Sequence, residues 1–184
     1  MSSAGYQVIA RKWRPQRFDE VVGQQAIVRT LSNALEQNRL AHAYCFSGIR
    51  GVGKTTIARL LAKGLNCRAS DGPTASPCGR CESCVEIEAS RSIDVLERDA
   101  ASDRGINLDE AHMLTPEASN ALLEVLEEPP GWIVFMLATT EPQKILPTIL
   151  SRCQHHQLGR ISQREIVGHL GRIECIQGTD LHLN

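Results

Sequence analysis

Residues Gly48-Ile49-Arg50-Gly51-Val52-Gly53-Lys54-Thr55 follow the pattern G-x-x-x-x-G-K-[ST], and no other stretch constrains the fold of this chain as strongly. The glycines allow successive backbone N–H groups to turn inward around phosphate oxygens. The Lys54 ammonium can reach the β and γ oxygens, and the Thr55 hydroxyl, with Thr56 beside it, stands where Mg2+ is ligated. Such a loop operates between a strand and a helix. Ala43-Tyr44-Cys45-Phe46-Ser47 is a short apolar run entering it, and Ile57, Leu60, Leu61 and Leu65 follow at helical spacing. Phosphate would then rest on a helix N-terminus, where free N–H groups and the helix dipole favour negative charge.

The chain has 184 residues, 42% of them hydrophobic, which suffices for one nucleotide-binding domain and the beginning of a second. Its net charge of −1 gives no global attraction to nucleic acid or anionic membrane, so a DNA contact would need a local patch such as Arg11-Lys12-Trp13-Arg14. No apolar run approaches the roughly 18 residues of a membrane span, and the N-terminus lacks the apolar core of a secretion signal. The expectation is a cytoplasmic protein without a membrane partner.

Cys67, Cys78, Cys81 and Cys84 form C-x10-C-x2-C-x2-C among seven cysteines, an odd number without an export signal. Two-residue spacers let neighbouring thiolates close on one tetrahedral Zn2+, and Gly72, Pro73 and Pro77 make the intervening segment a loop. A redox C-x-x-C is the rival reading, although overlapping C-x-x-C-x-x-C is unusual for a dithiol enzyme. Cys45, Cys153 and Cys175 read as structural thiols.

Along the chain, residues 1–23 are polar and irregular, and Ile27, Leu31, Ala34 and Leu35 mark a helix that ends near Asn38. After the cysteine module, Ser92-Ile93-Asp94-Val95-Leu96-Glu97 alternates like a strand, and Trp132-Ile133-Val134-Phe135-Met136-Leu137 resembles a buried parallel strand. Thr115 caps a helix with Pro116 at its first position and Ala118, Ala121, Leu122, Val125 and Leu126 facing inward. Ser162-x-x-Glu165 is a capping box in front of Ile166, Val167, Leu170 and Ile173. Strands and helices alternating around the loop predict an α/β fold, a P-loop parallel sheet with helices on both faces and the cysteine module as an insertion.

Polar signatures should converge on the carboxyl edge of that sheet. Asp109 could hold Mg2+ through water and Glu110 could orient an attacking water, although adjacent acids also begin many solvated helices. One hydroxyl of Ala138-Thr139-Thr140 could sense a γ-phosphate or be a plain strand-end group. Arg152 in Ser151-Arg152-Cys153 is either a surface arginine or one suited to transition-state charge in a neighbouring subunit.

Taken together, these residues resemble one family. Ala10-Arg11-Lys12-Trp13-Arg14-Pro15 with Phe18 and Val21-Val22-Gly23-Gln24, His42-Ala43-Tyr44, the loop, the four cysteines, Asp109-Glu110-Ala111-His112-Met113-Leu114, Leu126-Glu127-Glu128-Pro129-Pro130, Ala138-Thr139-Thr140-Glu141-Pro142-Gln143-Lys144 and Ser151-Arg152-Cys153 are similar to the gamma/tau subunits of bacterial DNA polymerase III. These are the AAA+ motors of the sliding-clamp loader, and the resemblance covers about residues 6–160. The related delta-prime subunit typically has a degenerate loop, so the intact Lys54-Thr55 favours gamma/tau.

The resemblance implies an AAA+ ATPase core over residues 1–160 and the start of a helical lid over 161–184. It implies ATP with Mg2+, a Zn2+ module, and work alongside gamma/tau copies, delta and delta-prime. The sliding clamp and the phosphates of primer–template DNA would be further partners. By matching motif, Gly48, Gly51, Val52, Gly53, Lys54, Thr55 and Thr56 hold phosphate, and Thr55 and Asp109 hold Mg2+. Asp109 and Glu110 are the acid pair, Thr140 is the likelier sensor, Arg152 acts in trans, and Trp13, Arg14, Val22 and Gly23 border adenine.

The family has a helix and a full apolar strand before the acids, where this chain has only Asp103-Arg104-Gly105-Ile106-Asn107-Leu108. A parallel crossover alone needs about a dozen residues, so an internal deletion is inferred. Ile106 and Leu108 alternate and could pair weakly, but the expected consequence is that the loop strand loses a full-length neighbour and Glu110 is displaced. The lid and the oligomerising domain are also nearly all missing relative to the family, and Glu124 stands where lysine is usual. Two readings follow: an ATPase motor, or a zinc-stabilised fragment that binds nucleotide or sister subunits without turnover.

Overall fold

A computed structural model describes residues 13–89, 105–131 and 133–177, with side chains through 171. The predicted strand at 92–97, the basic residues 11 and 12, Trp132 and the side chains of Ile173 and Cys175 lie outside the described residues. Four parallel strands, β1 (Ala43–Ser47), β2 (Gly105–Leu108), β3 (Val134–Thr139) and β4 (Gln154–Gln157), lie in the order β2-β3-β1-β4. The helices are α1 (Gln25–Glu36), α2 (Lys54–Asn66), α3 (Glu82–Ala89), α4 (Pro116–Glu127), the single turn α5 (Pro147–Leu150) and α6 (Gln163–Gln177).

β1 and β3, the two central strands, read as unbroken apolar runs because both of their faces are covered. Tyr44 and Phe46 of β1, with Val134 and Met136 of β3, join Leu31, Ile57, Leu61 and Ile87 in one core. Ala43 and Cys45, with Phe135 and Leu137, join Leu122, Leu126 and Ile149 in the other. Burial pushes the Cys45 thiol up to about 11 and that of Cys153 to about 12, as befits unreactive structural thiols.

The helix ends follow local chemistry. Asn38 takes φ 50, and the N–H groups of Asn38 and Arg39 return to the carbonyls of Leu35 and Ala34, a left-handed stop for α1. The Thr115 hydroxyl accepts from Ala118 N at 3.2 Å ahead of Pro116, and Ser162 and Glu165 cap α6 reciprocally. One helix face differs from expectation: Ala121 and Val125 of α4 are exposed, its buried contacts coming from Leu122 and Leu126. The helix expected after Ser162 forms as α6, with Ile166, Val167 and Leu170 exposed.

The short segment before the acids corrects the sequence reading. Gly105–Leu108 does form a strand, with Gly105, Ile106, Asn107 and Leu108 paired to Val134, Phe135, Met136 and Leu137. It is an edge partner of β3, not of the loop strand, which is flanked by β3 and β4 over its own length. A shortened β2 therefore leaves both neighbours of β1 in place. Gly105 lets Met136 close over the strand, since a Cβ there would lie 2.7 Å from Met136 Cε and the Met side chain would have to shift.

The cysteine segment is fastened to α2 at Gly64, whose carbonyl accepts from Thr74 N at 2.9 Å; a Cβ on Gly64 would lie 2.6 Å from the Thr74 carbonyl oxygen. Lys63, one residue earlier, is 1% exposed, and its ammonium donates to Glu88 Oε2 of α3 at 2.7 Å and to Gln16 Oε1. Burial pushes the Glu88 carboxyl up, but the hydrogen bonds from Lys63 and Gln16 and the charges of Lys63 and Arg14 outweigh it and hold it below its ordinary value. Removing one partner strands a buried charge. Glu88→Ala is therefore expected to destabilise the fold by about 3 kcal/mol in urea unfolding. The stabilisation from Glu88 should be full above the ordinary carboxylate pKa and fade as pH falls below it.

Candidate functional site

The phosphate loop leaves β1 at Gly48 and enters α2 at Lys54, with Gly48, Gly51 and Gly53 at φ 147, 80 and 104. These angles turn N–H groups toward a common side and are strained for any residue with a Cβ. Gly48 has a second constraint, because a Cβ would lie 2.8 Å from the Leu158 carbonyl oxygen. Val52 is buried and anchors the loop to the core beneath it. The Lys54 ammonium folds back onto the carbonyls of Gly48 and Ile49 at 2.9 and 3.0 Å. Burial lowers its pKa, and the charges of Glu110 and Asp109 partly oppose that.

Across the sheet, the Thr55 hydroxyl lies 3.0 Å from Asp109 Oδ2 and 3.2 Å from Oδ1. The pairing of β2 with β3 carries Asp109, the first residue beyond β2, to this point. Glu110 follows in left-handed backbone at φ 50, and its N–H donates to Asp109 Oδ1 at 3.1 Å. A hydroxyl and a carboxylate at this spacing match the hard oxygen ligands that Mg2+ takes.

Three residues join the acids: His112 and Glu141, which the sequence reading left without a role, and Thr139, which it weighed together with Thr140 as a γ-phosphate sensor. His112 Nδ1 lies 3.4 Å from Glu110 Oε2 and 3.1 Å from Thr139 Oγ1, and its Nε2 lies 3.6 Å from Glu141 Oε1. Thr139 is fully buried and accepts from Glu141 N at 3.0 Å. Its register partner is Ser47, the last residue before the loop, so the end of β3 borders the loop. The hydroxyl held in this network is that of Thr139, whereas Thr140 is half-buried one residue past the strand. The available signal was that Thr139 is the first polar residue after an apolar run.

Val22 and Gly23 sit against the chain at 159–161: Gln24 Nε2 donates to the Gly159 carbonyl at 2.8 Å, and a Cβ on Gly23 would touch Ile161 at 3.0 Å. Trp13 and Arg14 are half-buried, and the charge of Arg14 acts on Glu88 beside the cysteine module. Thr56 is half-buried in the first turn of α2. Arg152 is bound elsewhere, to Glu127 Oε1 at 3.0 Å and the Thr148 carbonyl at 2.9 Å, on the α4–α5 side of the molecule.

The Sγ atoms of Cys67, Cys78, Cys81 and Cys84 lie within 4.8 Å of one another. Four thiolates at about 2.3 Å from a central Zn2+ fit that span, so the donor set suits a closed tetrahedral site. Backbone N–H donors of Arg80 and Cys81 hold the Cys78 thiol down to about 6, while burial pushes Cys84 up to about 12. Cys78 N and Cys81 N donate to the sulfurs of Cys67 and Cys78, both at 3.3 Å. Bonds of this kind orient the sulfurs as ligands.

The family model described as "DNA polymerase III, delta subunit" matches residues 23–109 and 99–162. The tau/gamma subunit of DNA polymerase III from Haemophilus influenzae is 50% identical over 190 residues, covering 91% of this chain and 27% of its own length. The tau subunit from Escherichia coli is 48% identical over 190 residues, again 91% of this chain and 29% of the relative. The chain thus spans a little over a quarter of the length of these relatives. Since 91% of 184 residues is about 167, about 23 of the 190 aligned positions lack a counterpart here. The two family matches overlap at 99–109, where the sequence is short. A RuvB mutant from Thermotoga maritima superposes with a TM-score of 0.61 at 21% identity, over 91% of this chain and 55% of that one, which establishes the shared AAA+ P-loop fold. Among the described residues no helix is long and apolar enough to cross a membrane.

Metal analysis of the purified chain is expected to find about one Zn2+ per molecule, and Cys78→Ser to lose most of it. Cooperative folding of a chain that carries no zinc would remove the metal centre from the account.

Proposed function

The chain belongs to the DNA polymerase III clamp-loader subunit family, and on that premise we propose that it is an ATP-binding, Mg2+-dependent gamma/tau-type motor module. Binding and hydrolysis would serve to open a sliding clamp and load it on primer–template DNA. The observation that carries the reading is the meeting of Thr55 and Asp109 at 3.0 Å, because it unites the loop with the acids despite the shortened strand.

In this reading the inward N–H groups of Gly51, Val52 and Gly53, with those at the start of α2 through Thr56, bind the phosphates. Lys54 exchanges the Gly48 and Ile49 carbonyls for β and γ oxygens. Mg2+, held by Thr55 and by Asp109 directly or through water, would neutralise charge on those oxygens. Glu110 orients the attacking water, and the end of β3 at Thr139 and Thr140 reads the γ-phosphate. Trp13, Arg14, Val22 and Gly23 border adenine. Arg152 leaves Glu127 to serve the site of an adjacent subunit.

The assembly proposed contains gamma/tau copies, delta and delta-prime in the cytoplasm, touching DNA through its phosphates. Residues 1–160 are assigned to the ATPase core and 161–184 to the start of a lid, whose exposed Ile166, Val167 and Leu170 suit further helical packing. The second reading, a zinc-stabilised binding fragment without turnover, is favoured by the four-residue β2 and by the left-handed backbone of Glu110.

Equilibrium binding and phosphate release separate the two. Lys54→Ala is expected to weaken ATP binding at least about tenfold, the scale of a hydrogen bond to a charged group. Glu110→Gln should retain binding while phosphate release falls about a hundredfold or more. Binding without release above the Lys54→Ala background supports the fragment reading instead.

A further inference from the structure

We propose that His112 is a positioning residue for Glu110, linking that acid to the end of β3. The proposal rests on Glu110 as the water-orienting group of the preceding section. His112 has a 9% exposed side chain, in the turn Ala111–Met113 that begins directly after Glu110. Its imidazole is the group that reaches both sides of the gap: Nδ1 is 3.4 Å from Glu110 Oε2 and 3.1 Å from Thr139 Oγ1. On the other side Nε2 is 3.6 Å from Glu141 Oε1, and Lys144 Nζ holds the other Glu141 oxygen at 2.8 Å.

Lys144, Glu141, His112 and Glu110 therefore form a line of alternating basic and acidic side chains from the chain after β3 to the acid. Thr139 fixes the middle of that line from within the strand. Glu110 needs such a support. Its carboxylate is 48% exposed, and among the described residues His112 is the basic side chain that lies within ion-pair distance of it. A long, half-exposed side chain samples many rotamers, while a group that orients water must be held within about 0.5 Å of its working position. A misplacement of about 1 Å can cost about a hundredfold in rate. Because Thr139 is paired to Ser47 at the mouth of the loop, the imidazole also ties Glu110 to the strand that borders the phosphates.

The test compares the full chain with His112→Ala and His112→Asn, whose amide nitrogen stands close to the place of Nδ1. The dissociation constant for ATP with Mg2+ is expected to stay within about twofold in both, since His112 touches none of the loop. Phosphate release should fall about tenfold or more in His112→Ala and recover in large part in His112→Asn.

A second measurement is independent of turnover. The Nδ1 resonance of His112 in 15N spectra at fixed pH should move on Glu110→Gln and on Thr139→Val, while those of His155 and His156 stay in place. Unchanged release in His112→Ala, or ATP affinity falling in step with the rate, overturns the proposal. An Nδ1 resonance indifferent to Glu110→Gln overturns it as well. If the chain binds ATP without releasing phosphate, it is the hydrolytic reading that fails, and the resonance alone then decides whether His112 holds Glu110.

Discussion

Parallel pairing of β3 with β1 on one side and β2 on the other is the constraint from which the rest of the site follows. The loop hangs from the end of β1 and the acids from the end of β2, and the two strands do not touch. Only the register of each against β3 brings Thr55 and Asp109 to 3.0 Å. Four paired residues suffice because Ile106 and Leu108 also pack into the core under α4, so β2 is held by side chains as well as by its ladder. In a parallel sheet buried on both faces, a one-residue slip would turn those side chains to the wrong side.

The same arrangement explains why losing sequence before Gly105 leaves the loop intact. The loop strand lies between β3 and β4, and α2 behind it packs through Ile57, Leu60, Leu61 and Leu65 into one core with Tyr44 and Phe46 of β1 and Val134 and Met136 of β3. The acids depend on an edge strand. The geometry of the loop and the placement of Glu110 are therefore separable features of this chain, and His112 bears on the second. The cysteine module braces α2 from outside through Gly64 and the Lys63–Glu88 pair, so a metal held by its four thiolates would bear on the helix that carries Lys54 and Thr55.

Much of this was legible in the residues. The loop, the helix behind it and β3 announce themselves through glycines at fixed offsets, helical apolar spacing and an unbroken apolar run. The four cysteines declare themselves by spacing. β4 was not legible, since Gln154-His155-His156-Gln157 has no apolar pattern; it pairs with β1 through its backbone, with His156 stacked on Tyr44 and Phe46 at 6.0 and 5.8 Å. β2 was underestimated because the rule for crossover length was applied as though β2 adjoined β1. The strand order, a tertiary property, places β3 between them. His112 was passed over, and Thr139 ranked behind Thr140, because the contact between the two spans 27 residues of chain.

The measurement that bears most directly on the juxtaposition of loop and acid is the dependence of ATP affinity on Mg2+, compared between the chain and Asp109→Asn. The account predicts that Mg2+ tightens ATP binding about tenfold or more in the unmodified chain and much less in Asp109→Asn, with metal-free affinity nearly equal in the two. Equal Mg2+ enhancement in both proteins would contradict it, because Asp109 would then stand near Thr55 without taking part in the site.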